Sequence, residues 1–176
     1  MRWLPVLLSL CVAVPLAGQE QEPPEQTEAE EAGARWLRLG LFGFAARAGA
    51  DFEDEGQVVV SFALDVGDLY TERVRIRPSG EIGVLGGDNT YVANLELLYR
   101  LMPDTAVAVP YIGVGVALAG REDCALYPDC PAVWAQFAVG FELRFRERFS
   151  WLLEYHPEDA LRRHRLFVGL TTRRGS

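Results

Sequence analysis

From residue 35 onward the chain is written as eight segments of alternating apolar and polar residues, joined by links that alternate long and short. Alternation with a period of two marks strands whose two faces meet different surroundings. The segments fall at 36–47, 57–66, 70–78, 91–101, 106–118, 132–145, 149–156 and 164–173. Within 106–118, Ile112, Val114, Val116 and Leu118 share one face, and Tyr111, Gly113, Gly115 and Ala117 the other. Within 132–145, Val133, Ala135, Phe137, Val139, Phe141, Leu143 and Phe145 oppose Trp134, Gln136, Ala138, Gly140, Glu142 and Arg144. In 91–101 the apolar face carries Tyr91, Ala93, Leu95, Leu97, Tyr99 and Leu101, against Asn94, Glu96 and Arg100.

The links sort into two kinds. GADFEDEG, SGEIGVLGGDNT, AGREDCALYPDCP and HPEDALRRH are long and rich in glycine or charge, whereas GDL, MPDT and RER are brief. Antiparallel strands joined in this rhythm have all long links at one end and all short ones at the other. An even strand number brings both ends of the segment to the short-link end. The expected fold is all-β, an eight-stranded antiparallel up-and-down barrel. Short turns on one side and longer loops on the other mark barrels that cross a membrane.

The first eighteen residues, MRWLPVLLSLCVAVPLAG, place Arg2 before an apolar run and small residues at its end. Charge, length and order read as a secretory signal peptide over 1–18. The run falls short of the roughly 20 residues of a membrane-spanning helix. Cys11 follows Leu10, where a lipid attachment site needs a small residue. Residues 19–34, QEQEPPEQTEAEEAGA, hold six glutamates and no base, and read as a disordered acidic linker. Residues 35–176 are the expected barrel. Of the net charge of −8, Arg2 and the six linker glutamates leave −3 for those residues. That balance argues against nucleic-acid binding.

Beyond the leader stand two cysteines, Cys124 and Cys130, six apart in REDCALYPDCP. A close pair in an exported chain reads as a disulfide. No histidine lies near them, so metal binding is not expected. No cofactor is expected either.

In lipid the apolar face must point outward and the mixed face inward. An eight-stranded bore is narrow enough for side chains to fill it, with Gly113, Gly115, Gly140 and Gly169 making room. Arg73, Arg75, Arg77, Glu96, Arg100, Glu142, Arg144 and Glu154 then face inward. Isolated buried charges are costly, so these eight are expected to pair into a network that plugs the bore. The third segment is the least regular: only Val74 and Ile76 offer outward apolar residues, and Glu72 shares their face. Aromatics at Tyr91, Tyr99, Phe145, Phe149, Trp151 and Tyr155 cluster near segment ends, as interfacial girdles do.

The strings VPYIGVGVAL (109–118), FAVGFELRF (137–145), WLLEY (151–155) and LFVGLT (166–171) resemble those of the small eight-stranded outer-membrane barrel superfamily. That group includes OmpA-like transmembrane domains, OmpX-like proteins and opacity-type adhesins. The resemblance covers about residues 35–173. It implies a monomeric barrel in the outer membrane, inserted by the barrel-assembly machinery and in contact with lipids and lipopolysaccharide. It also implies a structural, surface-contact or adhesion role, with a surface ligand held by the outer loops. Members usually end on an aromatic residue that the machinery reads. The sequence here ends TTRRGS, so either Phe167 and Leu170 serve that purpose or insertion differs.

Two other readings compete. A soluble lipocalin-like barrel in the periplasm would turn its apolar face inward to bind a small hydrophobic ligand, exposing Glu96, Glu142 and Glu154. The usual Gly–x–Trp near the first strand is missing at Trp36. A lipid-modifying enzyme would need a nucleophile, a base and an acid at one rim. Glu154, His156, His164, Glu158 and Asp159 stand near the last long link, but that link has no serine or threonine. Ser61 and Ser150 are the only serines in the segments. No catalytic residue is therefore assigned, and both histidines are expected in solvent. Arg162, Arg163 and Arg165 of that link could contact lipopolysaccharide phosphates.

Overall fold

The computed structural model describes residues 36–52, 56–86, 88–122, 124–126 and 130–174. The signal peptide and acidic linker read from the sequence lie outside the described residues. Eight strands run β1 (Leu37–Asp51), β2 (Gln57–Leu69), β3 (Thr71–Val84), β4 (Thr90–Arg100), β5 (Ala108–Arg121), β6 (Ala132–Arg144), β7 (Phe149–Glu158) and β8 (Arg163–Thr172). Each pairs antiparallel with the next, and β1 closes onto β8 from Ala45↔Thr171 to Asp51↔Arg165. Closure leaves no open sheet edge, which a spanning structure requires because lipid offers backbone groups no partner.

Alternation decides which face is which. On β5 and β6 the outward side chains Ile112, Phe137 and Val139 are about half exposed, whereas inward Glu96 and Glu154 on the neighbouring strands are 1% and 0% exposed. The six outward residues of β6 from Val133 to Leu143 are Val, Ala, Phe, Val, Phe and Leu. At about 3.4 Å per residue and a strand tilt near 40°, that stretch stands roughly 25 Å tall, the height of the apolar band on membrane barrels.

Several strands outrun their expected limits. β1 continues to Asp51, β3 to Val84 and β7 to Glu158, and β8 begins at Arg163. Sequence that reads as long polar link is therefore partly barrel wall. The links at that end, called the disulfide end below, occupy 52–56, 85–89, 122–131 and 159–162. Those at the opposite, terminal end occupy position 70, 101–107 and 145–148. The long–short contrast of the sequence thus reflects how far the wall projects at one end more than how large the loops are. Cys124 and Cys130 are joined in a disulfide in the β5–β6 link, with Cα atoms 5.1 Å apart.

The irregular third segment has a local cause. Pairing of β2 with β3 slips between Ala63↔Ser79 and Gly67↔Ile76, so three residues of β2 oppose two of β3. Pro78, which has no N–H to give, lies inside that bulge, where no ladder bond to β2 is demanded of it.

Candidate functional site: the ion-paired interior

Inward positions of all eight strands fill the bore in three charged layers. The middle layer draws on all eight strands, reaching β2 through Ser61, β5 through Tyr111 and β8 through Phe167. Glu154 sits at its centre, paired with Arg47 and with Arg77 (Nη1 to Oε1, 2.5 Å), and it accepts the Tyr111 hydroxyl. Arg77 Nε donates to Glu96 Oε2 at 2.7 Å. The Gln136 amide nitrogen donates to Glu96 Oε1 at 2.5 Å and lies 2.9 Å from His156 Nδ1. An acceptor role for Nδ1 assigns the ring proton to Nε2, which lies 3.4 Å from Glu154 Oε2. Arg47 also bonds Ser61 Oγ at 2.8 Å and stacks over Phe167 at 5.1 Å. The layer closes on itself because the glycine at 140 leaves the space that the Tyr111 ring occupies; a Cβ there would strike the ring.

The layer at the disulfide end is built on Asp51, Glu81, Glu158, Arg163 and Arg165. Arg163 and Arg165 donate to Asp51 Oδ2 at 2.5 and 2.9 Å, and Arg165 reaches Glu81 Oε2 at 2.6 Å. Glu158 lies 3.6 Å from Arg165 without a hydrogen bond to either oxygen. Asn94 ties Glu81 Oε1 in at 2.8 Å. Val92, Ala117 and Ala119 pack beside this layer with Trp134, over which Arg163 stacks at 5.2 Å.

At the terminal end Arg100 grips Glu142 with two parallel bonds of 2.8 and 2.9 Å. Asp104, from the β4–β5 link, receives Arg75 and Arg100 on its carboxylate and Arg144 and Arg173 on its backbone carbonyl. Arg174 clasps Asp65 and Asp68. Burial pulls the Arg174 guanidinium down, but its bonds to those two carboxylates hold it above its ordinary value. Between this layer and the middle one lie Ala45, Ala63, Leu98, Ala138 and Leu152. The void beside Leu98, Arg75, Arg77 and Arg100 measures about 20 Å³, room for about one water.

The three layers bring together nine arginines (47, 75, 77, 100, 144, 163, 165, 173 and 174) and nine carboxylates (51, 65, 68, 81, 96, 104, 142, 154 and 158). Among the described residues the formal charges of these interior side chains therefore cancel.

Of the eight interior residues read from the sequence, Arg75, Arg77, Glu96, Arg100, Glu142 and Glu154 are buried and ion-paired. Arg144 is half-buried and gives its Nη2 to a backbone carbonyl. Arg73 requires a correction. It is exposed, because β3 separates from β4 beyond Val74↔Tyr99 and leaves Arg73 outside the closed wall.

Three further expectations change. His156 is fully buried in the middle layer rather than solvated, because β7 stays in the barrel past it. His164 points outward, half-buried, its Nδ1 2.6 Å from the Tyr155 hydroxyl. Glu154, His156 and His164 therefore do not assemble at a rim, and Ser150 is buried near the terminal end. Arg163 and Arg165 are held inside by Asp51 and Glu81, which leaves Arg162 alone of the three exposed. The inward Glu96, Glu142 and Glu154 reverse the polarity of a lipocalin-like barrel.

Sequence reading missed Arg47, Tyr111, Gln136 and His156 of the middle layer as partners, and all five charged residues of the layer at the disulfide end. The signal for the latter was strand parity: Asp51 follows Arg47 by four residues, and Glu81 follows Arg77 by four.

A closed eight-stranded barrel, apolar outside and charge-paired inside, defines the architecture of small membrane-spanning β-barrels. Solved structures agree on that fold. The N-terminal β-barrel domain of Pseudomonas aeruginosa OprF is 14% identical with a TM-score of 0.56, over 76% of this chain and 98% of that one. Neisserial surface protein A gives 9% identity and a TM-score of 0.53, covering 74% and 94%. A de novo designed transmembrane β-barrel gives 11% and 0.51, covering 76% and 96%. No protein-family profile matches the chain, and no curated protein matches it by sequence.

Proposed function

We propose that this chain is a non-enzymatic outer-membrane β-barrel protein with a structural, surface-contact or adhesion role and a closed lumen. The observation that carries the proposal is the inverted polarity of the barrel, with apolar side chains around its outside and balanced charge within. Such a surface is stable in lipid and unfavourable in water. OprF and surface protein A, whose barrels share the fold, support an outer-membrane address. The disulfide end then faces outward and carries the contact surface, stiffened by Cys124–Cys130, while the termini lie in the periplasm. Lipids, lipopolysaccharide and the assembly machinery are the partners such a barrel meets.

The interior charges serve packing and closure. A guanidinium fixed by two carboxylates is not free to pass a solute, and a void the size of one water admits none. The test has two parts. Washed outer-membrane fractions run in SDS with and without boiling should show a band that shifts on heating, as folded barrels resist SDS. Purified protein in planar bilayers should show no large, stable conductance. A soluble periplasmic band without a heat shift contradicts the membrane reading, and large conductance contradicts the closed lumen.

A further inference from the structure

β3 and β4 separate at the terminal end. Their ladder runs from Gly83↔Thr90 to Val74↔Tyr99 and stops, while β3 itself extends back to Thr71. The separation opens a notch of about 440 Å³ in the wall, lined by Glu72, Arg73, Tyr99 and Met102, with Arg100 and Asp104 behind them. Its two sides differ in chemistry. Tyr99 and Met102 are exposed and continue the apolar belt. Glu72 and Arg73 are exposed and polar, so the notch straddles the margin of the belt, where lipid headgroups lie.

Two of the charges there, Arg73 and Glu72, are not used up by the fold. The Arg73 guanidinium meets no carboxylate among the described residues. Among the described residues Glu72, with 83% of its side chain exposed, is ion-paired with Arg38 alone, at 3.5 Å. Arg100, behind them, is 3% exposed and already holds Glu142 and Asp104, so it belongs to the interior layer. One free guanidinium and one loosely held carboxylate therefore flank an opening with an apolar wall. Guanidinium prefers phosphate, with which it forms parallel charged hydrogen bonds. Carboxylate prefers a primary ammonium. A single headgroup that offers both is a phosphoethanolamine.

We propose that the β3–β4 notch binds an aminophospholipid of the phosphoethanolamine class, with its phosphate on Arg73, its ammonium on Glu72 and an acyl chain against Tyr99 and Met102. The proposal rests on the lipid-facing reading of the wall. The exposed position of both charged residues means that replacing either removes the ligand's partner without disturbing the interior layers.

Native mass spectrometry of the folded chain tests it, in detergent doped with equal phosphatidylethanolamine and phosphatidylglycerol. The expected result is retention of phosphatidylethanolamine at least fivefold over phosphatidylglycerol. Arg73→Ala and Glu72→Ala should each lose that retention by fivefold or more, Arg73→Lys should restore part of it, and all should keep the heat shift in SDS. Equal retention of the two lipids overturns the choice of headgroup, and unchanged retention in Arg73→Ala overturns the site. Full displacement by free O-phosphoethanolamine overturns a membrane lipid as the occupant. A wild-type chain without a heat shift overturns the barrel reading beneath it, and that failure is seen before any lipid is added.

Discussion

The middle layer and the layer at the disulfide end use the same chemistry, yet the charged core of the first, Arg77, Glu96 and Glu154, is visible in sequence and the second is not. Arg77, Glu96 and Glu154 each stand between outward apolar neighbours, such as Ile76, Leu95, Leu97, Leu153 and Tyr155, so the alternation is plain. Glu81 stands between Gly80 and Ile82, and Glu158 between Pro157 and Asp159; Arg165 has His164 on one side. Their surroundings read as polar link. Both layers are walls of one barrel, but the outside of the layer at the disulfide end is no longer uniformly apolar. Period-two patterning therefore reports the part of a barrel that is wrapped in lipid, and it fades where the wall projects beyond the belt.

This contrast predicts unequal costs of breaking each layer. Glu154→Ala removes the carboxylate that lies between Arg47 and Arg77 and strands the Tyr111 hydroxyl in a fully buried site, although Arg77 keeps Glu96 and Arg47 keeps the more distant Glu81. It should destabilise the barrel by about 3–5 kcal/mol, measured by reversible urea unfolding in lipid vesicles. Asp51→Ala removes a carboxylate shared by Arg163 and Arg165, but Arg165 keeps Glu81 and Arg163 keeps its stack on Trp134 near the mouth. The loss should be about 1–3 kcal/mol. Equal costs would mean that both layers are equally desolvated and would remove the distinction.

Inside and outside can be set against each other with glycines. Gly140→Val drives a side chain into Tyr111 and should cost about 1–3 kcal/mol by overpacking. Gly80 faces outward with nothing within 4 Å of where a Cβ would stand. Gly80→Ala should stay within about 0.5 kcal/mol of the parent. Both are read from the same urea curves.

Replacing Cys124 and Cys130 by serine frees a short loop. Chain entropy sets the loss at about 2 kcal/mol at most, and the heat shift in SDS should persist because the barrel closes without the link. Failure to fold would make the disulfide a requirement of the wall itself.

The strand count, the antiparallel order and the inward placement of Glu96, Glu142 and Glu154 were legible because each depends only on local alternation. Arg73 was misjudged because parity cannot show where two strands stop pairing. His156 was misjudged because a histidine followed by Pro157, Glu158 and Asp159 looks like the start of a loop. Asp104 could not be found at all: nothing in MPDT marks a link residue that four arginines will share. That convergence belongs to closure, which brings β3, β4, β6 and the end of β8 around one point.

The central claim is that the apolar wall faces lipid. Trp151 lies outward on β7 and is 55% exposed. With Trp3, Trp36 and Trp134 replaced by phenylalanine, its fluorescence in vesicles should be quenched by phospholipids brominated on the acyl chain and spared by aqueous iodide. Quenching by iodide without quenching by bromolipid would place that wall in water and contradict the account.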